Sequence, residues 1–188
     1  MKKVLCLLLL CALASALPAC SRTPEESEVS EVSEVQTWTP ADFAAPLALE
    51  ELSYRVPSSW IPREGDSDKE LRWASSEDSD ALKLSITTTK RIPLSFGNHK
   101  DAENRVLLEV LLSDFCKEPT IKKNRTLCGY PAIIAEYDET TDNGTVACKI
   151  CIILSDQYSY VFILSEPGQL TAEAQSFMDT FLTLLRTK

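Results

Sequence analysis

One histidine, His99, stands in the 188 residues of this chain. A metal cluster built on histidines is therefore excluded, and a serine triad has a single candidate base. No Gly-x-Ser-x-Gly elbow accompanies it, so His99 is read as a solvated or capping side chain ahead of a helix. With only five glycines, no Gly-rich loop is present to cradle a phosphate. The longest apolar stretch, Val4 to about Ala14, falls short of the roughly 20 residues that cross a bilayer. Positive charge is also scarce: 19 basic residues face 28 acidic ones, for a formal net charge of −9. Nucleic acid and anionic head groups repel such a surface, so no nucleic-acid partner is expected.

What is present starts at the N-terminus. Lys2 and Lys3 precede the short apolar stretch, and small residues follow, which together describe a secretory signal. Leu17-Pro18-Ala19-Cys20 resembles the bacterial lipobox, in which an aliphatic residue and two small ones lead into a cysteine that is diacylated before cleavage. Leu17 and Ala19 fit this pattern, and Pro18 is its less usual element. The expectation is a chain cut before Cys20, with acyl groups of the palmitate kind on Cys20. Two or more chains anchor a protein stably, each buried methylene contributing about 0.8 kcal/mol. The predicted location is the extracytoplasmic face of a bacterial cell envelope, and Ser21 after the cysteine favours the outer membrane where there are two.

Beyond the signal (1–19), residues 20–48 are rich in Ser, Glu, Pro and Thr, with a Ser-Glu-Val repeat at Ser27, Ser30 and Ser33. Such a stretch buries too little apolar surface to offset its ordering entropy and reads as an acidic tether. Trp38 and Phe43 are its exceptions, placed to lean on the membrane or on the domain. The globular domain is assigned to 49–188.

Alternation predicts strands over Leu52–Val56, Leu71–Ala74, Ala81–Thr88, Thr120–Leu127, Ala132–Thr140, Val146–Leu154 and Tyr158–Leu164. Asp101 is placed to cap a helix whose apolar stripe is Val106, Leu107, Val110, Leu111 and Phe115. Thr171 caps a second, with Phe177, Met178, Phe181, Leu182 and Leu185 inward. Asn143-Gly144 predicts a tight type I′ hairpin, with positive φ at the asparagine. Val146–Leu154 is apolar on both sides, so helices or loops are expected on both faces of the sheet.

Cys6 and Cys11 leave with the signal, and Cys116, Cys128, Cys148 and Cys151 remain in the domain. Outside the cytoplasm four thiols read as two disulfides, with three connectivities open. Cys148 and Cys151, at odd spacing in one strand, point to opposite faces and do not bond each other. The favoured pair is Cys116 with Cys128. Cys148-Lys149-Ile150-Cys151 has the letters of a redox dithiol, but that chemistry wants its first cysteine at a helix N-terminus, so these two read as structural. A four-cysteine zinc site lacks its second close pair. Glu136, Asp138 and Glu139 read as a solvated hairpin face.

The order of these elements resembles the PsbP-like superfamily, which includes bacterial lipoproteins similar to DcrB. The likeness runs over Glu51 to Lys188, from a strand ending in Pro57-Ser58-Ser59-Trp60, through a long helix and the Gly129-Tyr130-Pro131-Ala132 step, to a terminal helix with paired phenylalanines. It implies an α+β fold, an α/β/α sandwich around a largely antiparallel sheet, used as an accessory or docking module and not as an enzyme. No metal or other cofactor is expected. The implied partners are the membrane, through the lipid anchor, and another envelope protein. The alternative is a lipoprotein that binds a small apolar ligand in a groove between sheet and helix, where Trp60, Tyr130 and Tyr160 are the candidate lining residues. A thiol-redox enzyme ranks third.

Overall fold

The computed structural model describes residues 37–78, 80–91 and 100–188. The signal, Cys20, the Ser-Glu-Val repeat and His99 lie outside the described residues.

Seven strands form one antiparallel sheet: β3 (Ile61–Arg63), β4 (Glu70–Ala74), β5 (Lys83–Lys90), β6 (Ile121–Leu127), β7 (Tyr130–Thr141), β8 (Gly144–Leu154) and β9 (Tyr158–Pro167). Their spatial order is β3-β4-β5-β9-β8-β7-β6. β8 and β9 therefore lie inside the sheet and β6 closes one edge. A second, three-stranded antiparallel sheet joins β1 (Leu47–Leu49), β2 (Leu52–Tyr54) and the chain's last strand, β10 (Arg186–Thr187). The predicted first strand is thus present but shorter, and it pairs outside the main sheet.

Two helices complete the fold, α1 (Lys100–Phe115) and α2 (Ala172–Leu184). The hydroxyl of Thr171 accepts a hydrogen bond from the Ala174 N–H and caps α2 as its sequence suggests. Phe177, Met178, Phe181, Leu182 and Leu185 are all buried. They pack with Leu84, Ile86, Cys151, Ile153, Tyr160 and Phe162, which alternation places on one face of the sheet. Ile133, Ala135, Tyr137, Cys148, Ile150 and Ile152 point the other way and pack with Leu108 and Leu112 of α1. Neighbouring residues of β8 thus enter different clusters, which is why that strand is apolar throughout.

The buried line of α1 differs from the expected one. Leu108 and Leu112 reach the sheet, whereas Val106, Val110 and Phe115 are exposed. Apolar residues surround this helix on nearly every side, so several stripes satisfy the same periodicity; Asn104, Leu108, Leu112 and Cys116, four apart, are the ones that fit the sheet.

The fold also begins before residue 49, where composition placed its start. Trp38 and Phe43 are buried against α2. The Trp38 N–H donates to Ser176 Oγ at 3.1 Å, and its carbonyl accepts from the Thr180 hydroxyl at 3.1 Å. Two large rings recover enough apolar burial, roughly 1.5–3 kcal/mol each, to order a polar stretch. Residues from 37 onward accordingly belong to the fold.

The hairpin between β7 and β8 forms where Asn143-Gly144 places it, but with other chemistry. Thr141 pairs with Gly144 across a two-residue loop. The left-handed φ, 119°, belongs to Gly144 and not to Asn143. The Thr141 hydroxyl donates to the Gly144 carbonyl and accepts from the Asn143 N–H, so a side chain does the work the asparagine was assigned. Positive φ at both central residues, the requirement of a type I′ turn, occurs instead at Cys128 (54°) and Gly129 (81°), where β6 turns into β7.

Candidate functional site

β6 reads Ile121-Lys122-Lys123-Asn124-Arg125-Thr126-Leu127, and six of its seven residues are exposed. It is an edge strand, so one side of its backbone lacks a strand partner among the described residues. The opposite edge is blunted: β3 has three residues and Pro62 in the middle. β6 carries no such device beyond its charge.

Alternation sends Ile121, Lys123, Arg125 and Leu127 toward the α2 side, where they line a groove of about 570 Å³ with Ile134, Glu136, Lys149, Gln175, Asp179 and Leu182. A second cleft, also of about 570 Å³, opens beside α1 and is lined by Asp101, Arg105, Asn124, Arg125, Thr126 and Pro131. The edge strand is a ridge between two clefts.

Register explains the α2-side groove. Ile121 lies opposite Glu136, and Glu136 opposite Lys149. One row further, Lys123, Ile134 and Cys151 stand side by side. Both rows pass from a solvated edge to the interior beneath α2: one leads from Ile121 to the charged pair of Glu136 and Lys149, the other from Lys123 to the apolar Ile134 and Cys151. Lys149 is only 6% exposed. Its ammonium donates to Gln175 Oε1 at 2.5 Å and to Asp179 Oδ1 at 3.1 Å, with Glu136 Oε1 at 3.6 Å. Two hydrogen bonds and the nearby Glu136 carboxylate offset the cost of burying this ammonium. Lys123 and Arg125 have no ion pair among the described residues, whereas Lys122 reaches Glu109 at 2.8 Å on the other side of the strand.

Sequence reasoning missed Lys149. The visible signal was one charged residue in the apolar run of β8, with Glu136 at the matching hairpin position. Glu136 is accordingly half-buried in an ion pair and not part of a solvated face.

The three aromatic candidates do not gather in this groove. Trp60 is buried, stacked on Phe177 with ring centroids 4.4 Å apart. Tyr160 is fully buried; its hydroxyl accepts the Glu51 N–H at 3.1 Å, and burial pushes its pKa up to about 12. Tyr130 is half-buried and packs on the same core. A lining role is therefore corrected to a core role for Trp60 and Tyr160: the space between sheet and α2 is filled by these rings.

The expected disulfide is not formed either. All four domain cysteines are free thiols. Cys116 belongs to the cluster under α1, whereas Cys128 packs against the cluster under α2, so the sheet separates them. Burial pushes the Cys148 thiol up to about 11 and the Cys151 thiol further still. A nucleophilic thiol needs the opposite shift. Among the described residues no group of three His, Cys, Asp or Glu is placed to hold a metal, and no helix is long and apolar enough to cross a membrane.

No family model matches the chain, and no curated protein matches it. Solved structures do. A crystal structure from Bacteroides thetaiotaomicron is similar over 73% of this chain, with 13% identity and a TM-score of 0.52; the chain spans 45% of that protein's length. The solution structure of cyanobacterial PsbP (CyanoP) from Synechocystis sp. is matched over 88% of this chain and 100% of that one, at 16% identity and a TM-score of 0.49. PA94 of Pseudomonas aeruginosa, a protein of unknown function, is matched over 72% of this chain and 88% of its own, at 11% identity and a TM-score of 0.40. At 13% identity the likeness to the Bacteroides structure is one of fold alone, and the fold of this chain is α+β with a largely antiparallel sheet.

Proposed function

We propose that this chain is a lipid-anchored, non-enzymatic docking module of the bacterial envelope, a PsbP-like α/β/α sandwich held at the membrane by acyl chains on Cys20 and engaging an envelope protein through β6. One observation carries the docking reading: a seven-residue edge strand, exposed on both faces and flanked by two clefts, in a sheet whose other edge is protected. Strand addition to such an edge supplies affinity through main-chain hydrogen bonds and specificity through alternate side-chain pockets. Lys123 and Arg125, without an ion pair among the described residues, favour an acidic, extended segment of the partner. Edge lysines also discourage self-association, which suits a strand kept open for another chain.

The anchor is tested by fractionating cells that express Cys20→Ser. The domain should leave the membrane fraction, and a variant that is fully processed yet still sediments with membranes overturns the anchor. Docking is tested with a photo-crosslinking residue at Lys123, compared with one at Lys69 near the far edge. A discrete adduct at position 123 alone is expected; equal labelling at both positions refutes the assignment to β6.

A further inference from the structure

We propose that Cys116 and Cys148 are the chain's cross-linking site, joining the end of α1 to the middle of the sheet. The proposal rests on the extracytoplasmic reading for its oxidant but on the fold for its choice of partners.

A disulfide needs Cα atoms roughly 4.4–6.8 Å apart and side chains that converge, so two cysteines on opposite faces of a sheet are not joined without moving the backbone. Of the four thiols, Cys116 and Cys148 share the cluster under α1, while Cys151 lies in the cluster under α2 and Cys128 packs against it. Two of the three connectivities cross the sheet and are removed. Cys148 stands opposite Tyr137 in the β7–β8 ladder. The chain after α1 returns to that place, because the Thr120 N–H donates to the Glu136 carbonyl at 2.8 Å, four residues beyond Cys116. The Cys116 thiol is near enough to act electrostatically on both Tyr137 and Cys148.

Cys128 and Cys151 are the other pair on one face and also interact electrostatically. Cys128, however, sits in a left-handed turn at the end of β6, whereas Cys151 lies opposite Ile134, well inside the sheet, so the proposal is confined to Cys116 and Cys148.

The oxidant is a disulfide of a thiol oxidase or of a small thiol such as glutathione. A thiolate of the unfolded or folding chain, for instance Cys148, attacks the oxidant's sulfur, giving a mixed disulfide and releasing one reduced thiol. The Cys116 thiolate then displaces the second. Two protein thiols become one S–S bond, and the oxidant gains the two electrons and two protons. Acting before burial is complete avoids the raised pKa that slows a thiol inside the folded domain.

The test uses the full chain in two arms. In the first, reduced and unfolded protein is refolded with oxidised and reduced glutathione, alkylated, digested without reductant and mapped by mass spectrometry. Peptides linking Cys116 to Cys148 are expected, absent in Cys116→Ser and in Cys148→Ser, with the linked form melting about 5–10 °C higher than the reduced one. A Cys116–Cys128 link, or no link in folded protein, overturns the pairing. In the second arm, protein is trapped with alkylating agent directly in its native cells. The same link supports both readings; free Cys116 and Cys148 there, with the link formed in the first arm, overturns the proposal that the cell makes this bond and counts against export while leaving the geometry tested separately.

Discussion

The indole of Trp60 lies flat on the ring of Phe177, with centroids 4.4 Å apart and planes inclined by 12°. Trp38 meets the same phenylalanine edge-on at 5.6 Å, and Phe43 stacks on it at 5.7 Å. Aromatic pairs in these arrangements contribute about 0.5–1.5 kcal/mol beyond their buried area.

Trp38→Ala should therefore lower stability by about 3 kcal/mol through lost area, lost ring contacts and a cavity. Urea unfolding followed by circular dichroism reads the change. An unaltered midpoint would show that the indole stands outside the cooperative unit.

Lys149 makes a different prediction, because its removal strands a half-buried carboxylate. Lys149→Ala should cost about 2 kcal/mol, less than a fully buried pair, since Asp179 is 73% exposed and stays hydrated. Lys149→Met fills the same space without the charge and should cost less than Ala, most clearly when Glu136→Gln is added. Chemical denaturation of the three variants decides it; if Met is no better than Ala, refilling the space contributes nothing and the packing argument fails.

The turns separate two glycine-linked substitutions. Gly129 has φ +81° and nothing within 4 Å of an added Cβ, so Gly129→Ala meets backbone strain without a clash. A loss of about 1 kcal/mol is expected. Asn143→Val should stay within about 0.5 kcal/mol, because Asn143 holds no positive φ and its N–H, not its side chain, makes the turn's bond. Equal losses at the two sites would contradict these turn geometries.

In the reduced chain, Cys148 couples stability to pH. Burial raises its pKa from 9.0 to about 11, so between those values the unfolded thiol ionises while the folded one keeps its proton. The folded state then binds more protons, and stability falls as pH rises. This contribution is fully present below about pH 9 and lost through about pH 11. Cys148→Ala should flatten that part of the profile relative to wild type, as measured by urea midpoints across the range; parallel profiles would place Cys148 in a more solvated setting.

Long, regularly patterned elements were legible because burial on one face leaves a periodic trace. β8 and α2 are examples, and Thr171 was recognisable as a cap. α1 was legible in extent but not in rotation, since its apolar residues occupy most of its circumference and only the sheet decides which line is buried. Trp38 and Phe43 were hidden by their neighbours: a polar window says nothing about rings that find partners some 140 residues away. The groove was invisible for a related reason. Lys149, Gln175 and Asp179 meet only when β8 and α2 are packed, and no local pattern encodes that meeting. Aromatic residues suggested a binding surface because they also suit one, yet Trp60 and Tyr160 had core positions to fill.

Trp38 joins α2 through two hydrogen bonds, one from its N–H to Ser176 and one to its carbonyl from Thr180, while β10, directly after α2, is paired with β2. A mechanical pull on the chain upstream of residue 37 would therefore load that helix first, and the small sheet would resist by shearing instead of unzipping the large one. β6, which is hydrogen-bonded into the sheet through β7, would keep its shape while that helix carries the load.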